Sequence, residues 1–250
     1  MASETIERTG YRYVPGPFQY SSGVAALPGF AVRRARFARP VPVEQGFARI
    51  AEILRAEGQP LTALCACELR SPGQFSDAGF TAFNRVYVGT LEKWGIFLND
   101  SNPVARSNVC PEIDPPDEPG FHAFCYVAPG TAPGPSFVIA GSGEAQEGGG
   151  SYRERTVRYG DVSAEAMTEK ARFVLGQMER RMAALGVGWA ETTETQVYTV
   201  YDIHPFFGPE IVARGAGRHG IVWHFCRPPV QGLEFEVDCR GVHSEQVLSD

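Results

Sequence analysis

Two stretches of the chain carry apolar residues in the 3.6-residue rhythm of an amphipathic helix. In "VPVEQGFARIAEILRAEG", Val43, Phe47, Ile50 and Leu54 share one face, and Gly58 follows as a terminator. In "DVSAEAMTEKARFVLGQMERRMAALG", the stripe is Met167, Ala171, Val174, Met178, Met182 and Leu185, closed by Gly186. Asp161 or Ser163 stands where an N-cap is needed, and the methionines read as core filling. A third stretch, "FSDAGFTAFNRVY" (Phe75 to Tyr87), predicts a short helix bearing four aromatics and, inside its apolar face, Asn84. Strand-like runs flank the two long helices. "FQYSSGVAALPG" and "SFVIAGSGEAQEGGG" precede them, and "LTALCACELRS" and "WAETTETQVYTVYD" follow.

The order strand, small-residue turn, strand, long helix, strand therefore occurs twice. The helix-ending glycines, Gly58 and Gly186, stand 128 residues apart, which marks an internal repeat. The Pro- and Gly-rich "VAPGTAPGPSF" (Val127 to Phe137) is the natural connection. This predicts an α+β protein of two domains, residues 1–130 and 131–250, each a mostly antiparallel sheet with helices on one face.

Composition narrows the function classes. Of the 250 residues, 43% are apolar and 21% charged, ordinary values for a chain with a real core. The formal charge of −6 argues against a nucleic-acid partner. The run "RRARFAR" (Arg33 to Arg39) reads as an exposed strand face. The polar start "MASETIERTG" has no signal-peptide core, and no apolar run is long enough to span a membrane, so a cytoplasmic protein is expected. All six cysteines sit in or beside apolar runs without paired C-x-x-C motifs, which predicts buried free thiols. The histidines lack the H-x-E and P-C-x-x-C partners of a zinc nucleobase deaminase. "GSGEAQEGGG" (Gly141 to Gly150) lacks the G-K-[ST] ending of a nucleotide loop and reads as a flexible loop.

Asn84 by itself is explained by a bond to a nearby backbone carbonyl. Its pairing with an arginine about twenty residues on, Arg106 in "NPVARSNV", suggests a site. A guanidinium forks two hydrogen bonds onto a carboxylate, which lysine does less well.

The motifs together resemble the Rid (reactive-intermediate deaminase, YjgF-type) family. "YSSG" matches its opening at Tyr20, Ser21, Ser22 and Gly23. "FTAFNRVY" matches its helix motif at Phe80, Phe83, Asn84 and Tyr87. "PVAR" (Pro103 to Arg106) matches its P-A-R strand with one residue inserted. The closing glutamate strand is better kept in the second half, where "LEFEVDC" offers Glu234, with Glu236 on the same face; the first half has His122 near that place. The second P-A-R equivalent is degraded to "GAGRHGIV", where Arg218 or His219 falls nearest. "GSGE", "YGDVSAEAM" and "QVYTVYD" resemble the two-domain 2-aminomuconate and 2-amino-5-chloromuconate deaminases of aromatic degradation.

The resemblance implies two tandem chorismate-mutase-like domains assembling as a trimer. It implies hydrolysis of an enamine or imine acid to an oxo acid and ammonia, with no metal or organic cofactor. Arg106 would hold the substrate carboxylate and Glu234 would serve the water, with Tyr20, Ser22, Asn84, Arg218 and His219 as binding residues. The arginine and the acid lie in different halves, so an intramolecular cleft is expected to restore one complete site. Two other readings use the same fold: a non-catalytic binder or sensor that keeps the arginine, and a chorismatase-like hydrolase.

Overall fold

A computed structural model describes residues 5–249, so the first four residues of the polar N-terminal stretch and the last residue of the chain lie outside it. The strands β1 (Ile6–Arg8), β2 (Tyr11–Val14), β3 (Gly23–Ala26) and β4 (Phe30–Pro42) lead into helix α1 (Val43–Ala56). Then come β5 (Leu64–Arg70), α2 (Asp77–Lys93), β6 (Ala105–Pro111) and β7 (Gly120–Pro129). The second half contains β8 (Phe137–Gly143), a short α3 (Tyr152–Arg155), α4 (Ala164–Ala184) and β9 (Glu194–Tyr198). A single turn, α5 (His204–Phe206), runs into a π-helical turn before β10 (Val222–His224), β11 (Cys226–Arg227), β12 (Glu236–Gly241) and β13 (Glu245–Leu248).

Two mixed, mostly antiparallel sheets result, in the orders β1-β2-β3-β8-β12-β9-β10 and β11-β6-β5-β7-β4-β13. Each contains the same four-strand unit. In one, β6 runs parallel to β5, and β7 lies antiparallel between β5 and β4. In the other, β10 runs parallel to β9, and β12 lies antiparallel between β9 and β8. The chain's ends cross over: β3 pairs with β8 of the second unit, and β13 pairs with β4 of the first. The two sheets meet where β6 packs against β8.

The long helices form and stop as their sequences dictate. Gly58 and Gly186 both adopt positive φ, 67° and 68°, which a side chain would resist. Each closes its helix with the two Schellman bonds: Gly58 N–H to Arg55 O and Gln59 N–H to Leu54 O, then Gly186 N–H to Ala183 O and Val187 N–H to Met182 O. At the start of α4, Ser163 is the cap and accepts from Ala166 N–H, while Asp161 accepts from Ser163 N–H. The stripe of α4 is fully buried from Met167 to Leu185 against the seven-stranded sheet. Burial of each such side chain stabilises by roughly 1.5–3 kcal/mol. Helices α1 and α2 bury Phe47, Ile50, Leu54, Tyr87 and Leu91 against the other sheet.

Several expectations need adjusting. Helix α2 starts after Ser76, whose hydroxyl accepts from Gly79 N–H, and runs to Lys93, well past Tyr87. The run from Arg33 is not all exposed: Arg34 is buried, forking onto Glu68 at 2.6 and 2.8 Å, because β5 places that carboxylate against it. "GSGE" is not loop, since Gly141 to Gly143 finish β8. All six cysteines are free and buried. No helix among the described residues is long and apolar enough to cross a membrane.

Candidate active site

Where β6 meets β8 a cavity of about 420 Å³ opens between the two halves of the chain. Its walls include Tyr20, Phe80, Arg106 and Asn108 from the first half, and Gly141, Glu147, Tyr152, Arg155, Arg181 and Glu236 from the second.

Arg106 lies on β6 and is only 3% exposed. Four rings surround its guanidinium: Tyr87 at 4.8 Å, Tyr20 and Phe80 at 5.8 Å and Phe83 at 6.0 Å. The aromatics of α2 thus serve a cation rather than a purely apolar core. Rings stabilise the charge but accept no hydrogen bond in the plane of the fork, and Arg106 Nη1 has no partner. Asn108, two residues on along β6, accepts from the Ser71 hydroxyl and leaves its own Nδ2 unpaired. Two residues of the cavity lining thus each keep a buried donor without a protein partner, which a bound acceptor group could satisfy.

Glu236 opens β12 and is 4% exposed. Burial pushes its pKa up to about 8; the nearby carboxylates of Asp238 and Glu144 push the same way, against the pull of Arg106 and Arg181. Near neutral pH it is therefore mostly the acid. Its place depends on Gly141, where a Cβ would overlap the Glu236 carboxylate and come within 2.9 Å of Ser107 Cβ. The chain just before β12 is fixed by Glu144, which accepts from Glu234 N–H at 2.6 Å and Phe235 N–H at 3.2 Å. Glu144 is itself paired with Lys170 at 3.2 Å, both side chains fully buried. "GSGE" is thus a structural cradle for the acid.

Arg181 reaches the cavity from α4. It donates to Ala140 O and Gly141 O at 2.9 and 3.3 Å and to Glu147 at 2.8 Å. Sequence reasoning overlooked Arg181, although its position was a signal. It follows Met178 by three residues and Lys170 follows Met167 by three, so both cations lie within the apolar stripe. Glu147, on the connection after β8, and Arg155, at the end of the single-turn α3, gave no periodic signal.

The residues expected at the site divide. Arg106 and Tyr20 line the cavity, and burial raises the Tyr20 phenol pKa. The carboxylate in the wall is Glu236, not Glu234, which corrects that assignment: Glu234 precedes the strand and turns to Arg227, 2.8 Å away. Ser22 spends its hydroxyl on Pro15 O and holds β8 through its backbone carbonyl, so it supports the wall without forming it. Asn84 is buried outside the cavity lining, with Oδ1 unpaired. Arg218 and His219 are exposed and away from the cavity, Arg218 bonding Ala190 O at 3.2 Å, because both fall in the turn before β10.

One cavity thus brings together a buried guanidinium with an unpaired donor and a carboxyl whose pKa burial raises to about 8, groups suited to binding a carboxylate and to moving a proton. The profile of the 2-aminomuconate deaminase CnbZ family matches residues 3–246. A 2-amino-5-chloromuconate deaminase from Comamonas testosteroni is 51% identical over 241 residues, 96% of each chain. Among solved structures, a chorismatase shares the fold at 14% identity and a TM-score of 0.51, over 95% of this chain and 78% of its own. The chain belongs to the 2-aminomuconate deaminase CnbZ family, whose named chemistry acts on a carbon–nitrogen bond.

Proposed function

We propose that the protein is a cofactor-independent hydrolytic deaminase of a 2-aminomuconate, with or without chlorine, yielding the oxo acid and ammonia. The observation that carries this reading is the shared cavity of Arg106, buried with an unpaired donor, and Glu236, protonated near neutrality. The 51% identical relative supports the substrate class.

Arg106 binds the carboxylate next to the amino-bearing carbon. Glu236, as the acid, gives its proton to the carbon end of the conjugated enamine while the nitrogen lone pair forms a C=N bond. The resulting carboxylate takes a proton from water as the water oxygen bonds to the iminium carbon. Proton transfer from Glu236 to nitrogen makes it a leaving group. The C–N bond then breaks, ammonia departs, the C–O bond becomes a carbonyl, and the hydroxyl proton returns to Glu236. One water is consumed and one ammonia released. A carboxyl with a pKa near 8 suits both directions of transfer at neutral pH. We read the two matching halves as tandem Rid-type units that divide one site, the first supplying the arginine and the second the acid, and we expect a homotrimer.

The test is ammonia release from freshly prepared 2-aminomuconate and its 5-chloro analogue, with wild type and Arg106→Ala side by side. One ammonia per substrate from wild type, reduced about 100-fold or more in the variant, is the expected outcome. No release by wild type from either compound overturns the reading.

A further inference from the structure

The cavity holds three guanidinium groups but only two carboxyls, Glu147 and Glu236. With Glu236 protonated near neutral pH, Glu147 alone offsets the three cations. Two positive charges then await a ligand, more than one carboxylate satisfies.

The three arginines are not equally free. Arg106 is boxed in rings with an unpaired Nη1. Arg181 is spent, its two terminal nitrogens divided between Ala140 O, Gly141 O and Glu147. Arg155 is different: it is held in place without being used up. Its Nε donates to Gly150 O at 3.4 Å, its Nη1 donates to Gln146 O, and its guanidinium lies 4.5 Å over the Tyr152 ring. Nη2 takes part in none of these contacts.

The segment that carries Arg155 is braced from several sides. Ser151 and Glu154 form a capping box on α3, Gln146 N–H bonds Arg155 O at 3.0 Å, and Tyr152 N–H bonds Asp77 at 3.2 Å, tying the segment to the start of α2. A fixed guanidinium with a spare donor is preorganised for an anion.

We propose that Arg155 is the specificity residue for a dicarboxylate, holding the carboxylate far from the reacting carbon while Arg106 holds the near one. This assignment rests on the deaminase reading for its substrate, but its geometry calls for any extended dianion. Arg155 then takes the place in substrate binding that the resemblance gave to Arg218.

The experiment compares calorimetric binding of trans,trans-muconate and sorbate, six-carbon dienoic acids that differ in the second carboxylate. Wild type, Arg155→Ala, Arg155→Lys and Arg153→Ala are measured. Arg153 is the control, on the same helix but outside the cavity. Wild type should bind muconate more tightly than sorbate. Arg155→Ala should weaken muconate about 10- to 100-fold and leave sorbate within about twofold, with Arg155→Lys between and Arg153→Ala unchanged.

Equal weakening of both acids by Arg155→Ala would make Arg155 only a brace for its segment and overturn the assignment. So would no weakening of either, no preference for muconate in wild type, or no binding of either acid. Because binding needs no turnover, a failed ammonia assay beside intact discrimination would sink the deaminase reading alone. Turnover of 2-aminomuconate with an unchanged KM in Arg155→Ala would sink this inference alone.

Discussion

The two four-strand units share a topology, yet only one combination of their strands makes a site. By the 128-residue offset of the helix-ending glycines, Glu68 corresponds to Gln196, and the Gln196 amide donates to the Glu68 carboxylate at 3.4 Å. On β6, Ser107 faces Glu68 and Arg106 faces Cys67 of β5. On β10, Gln196 faces Val222, so the place of Arg106 falls to Ile221. The closing strands differ in the reverse sense. Tyr198 faces Glu236, whereas its counterpart Arg70 faces Gly120, so the first unit has glycine where the second has its acid. His122 is beyond that place, beside a register shift in β7. The arginine stands on a strand of one unit and the acid on a strand of the other, and the contact of β6 with β8 brings both to one cavity. A fold can repeat faithfully while its chemistry is made once.

The sharpest way to break this comparison is to separate two acids two residues apart. Glu236→Gln should lower kcat by about 100- to 10,000-fold, whereas Glu234→Gln, which loosens only the exchange with Arg227, should stay within about threefold. Steady-state kinetics on the same substrate measures both. If Glu234→Gln proves the dead enzyme, the cavity geometry is not that of catalysis.

Next in size is the brace behind the acid. Lys170→Met leaves Glu144 buried without its charge partner, a loss of about 3–5 kcal/mol, which should appear as a fall of roughly 10 °C in Tm. Thermal unfolding measures it, and an unchanged Tm would remove the pair from the account.

How far the sequence foretold this depends on what each residue answers to. The ends of the two long helices and the fate of the cysteines were legible because they follow from local backbone chemistry and period, whereas the end of α2 was not. Arg106 was legible as a cavity residue because its motif is a short local run that leads straight into β6. Glu236 was misread as Glu234 because "LEFEVDC" alternates: two acids share a face, and only the clamp by Glu144 on residues 234 and 235 fixes where the strand starts. Arg155 was not legible as a cavity residue because the cavity arises from the meeting of β6 with β8, a contact with no local signature, whereas Arg181 left one signal, its place within the apolar stripe of α4.

A subtler test concerns the charge environment of Glu236. Asp238 lies two residues on along β12, bound to Gln196 Nε2 and the Tyr198 hydroxyl, both at 2.9 Å. A negative neighbour favours the protonated acid, so it raises the pKa of Glu236. In the proposed mechanism that acid form acts first, so kcat/KM should fall as pH rises through about 8. Asp238→Asn removes the negative neighbour, and the falling limb should move to lower pH. A limb that stays in place would mean that the observed titration belongs to another group.

The smallest expected effect is the one that separates motif from register. Arg218 is the arginine nearest the degraded motif of the second unit, yet the register gives the place of Arg106 to Ile221. Exposed and bonded only to a backbone carbonyl, Arg218 should tolerate Arg218→Ala with stability changed by no more than about 0.5 kcal/mol. Turnover should be unchanged, because removing a screened surface charge outside the cavity alters neither the Arg106 fork nor the acid. Denaturant unfolding and kinetics together check this. A large loss of activity with intact stability would mean that the second unit keeps an anchor of its own, and that the division of labour between the halves is less complete than their strand registers imply.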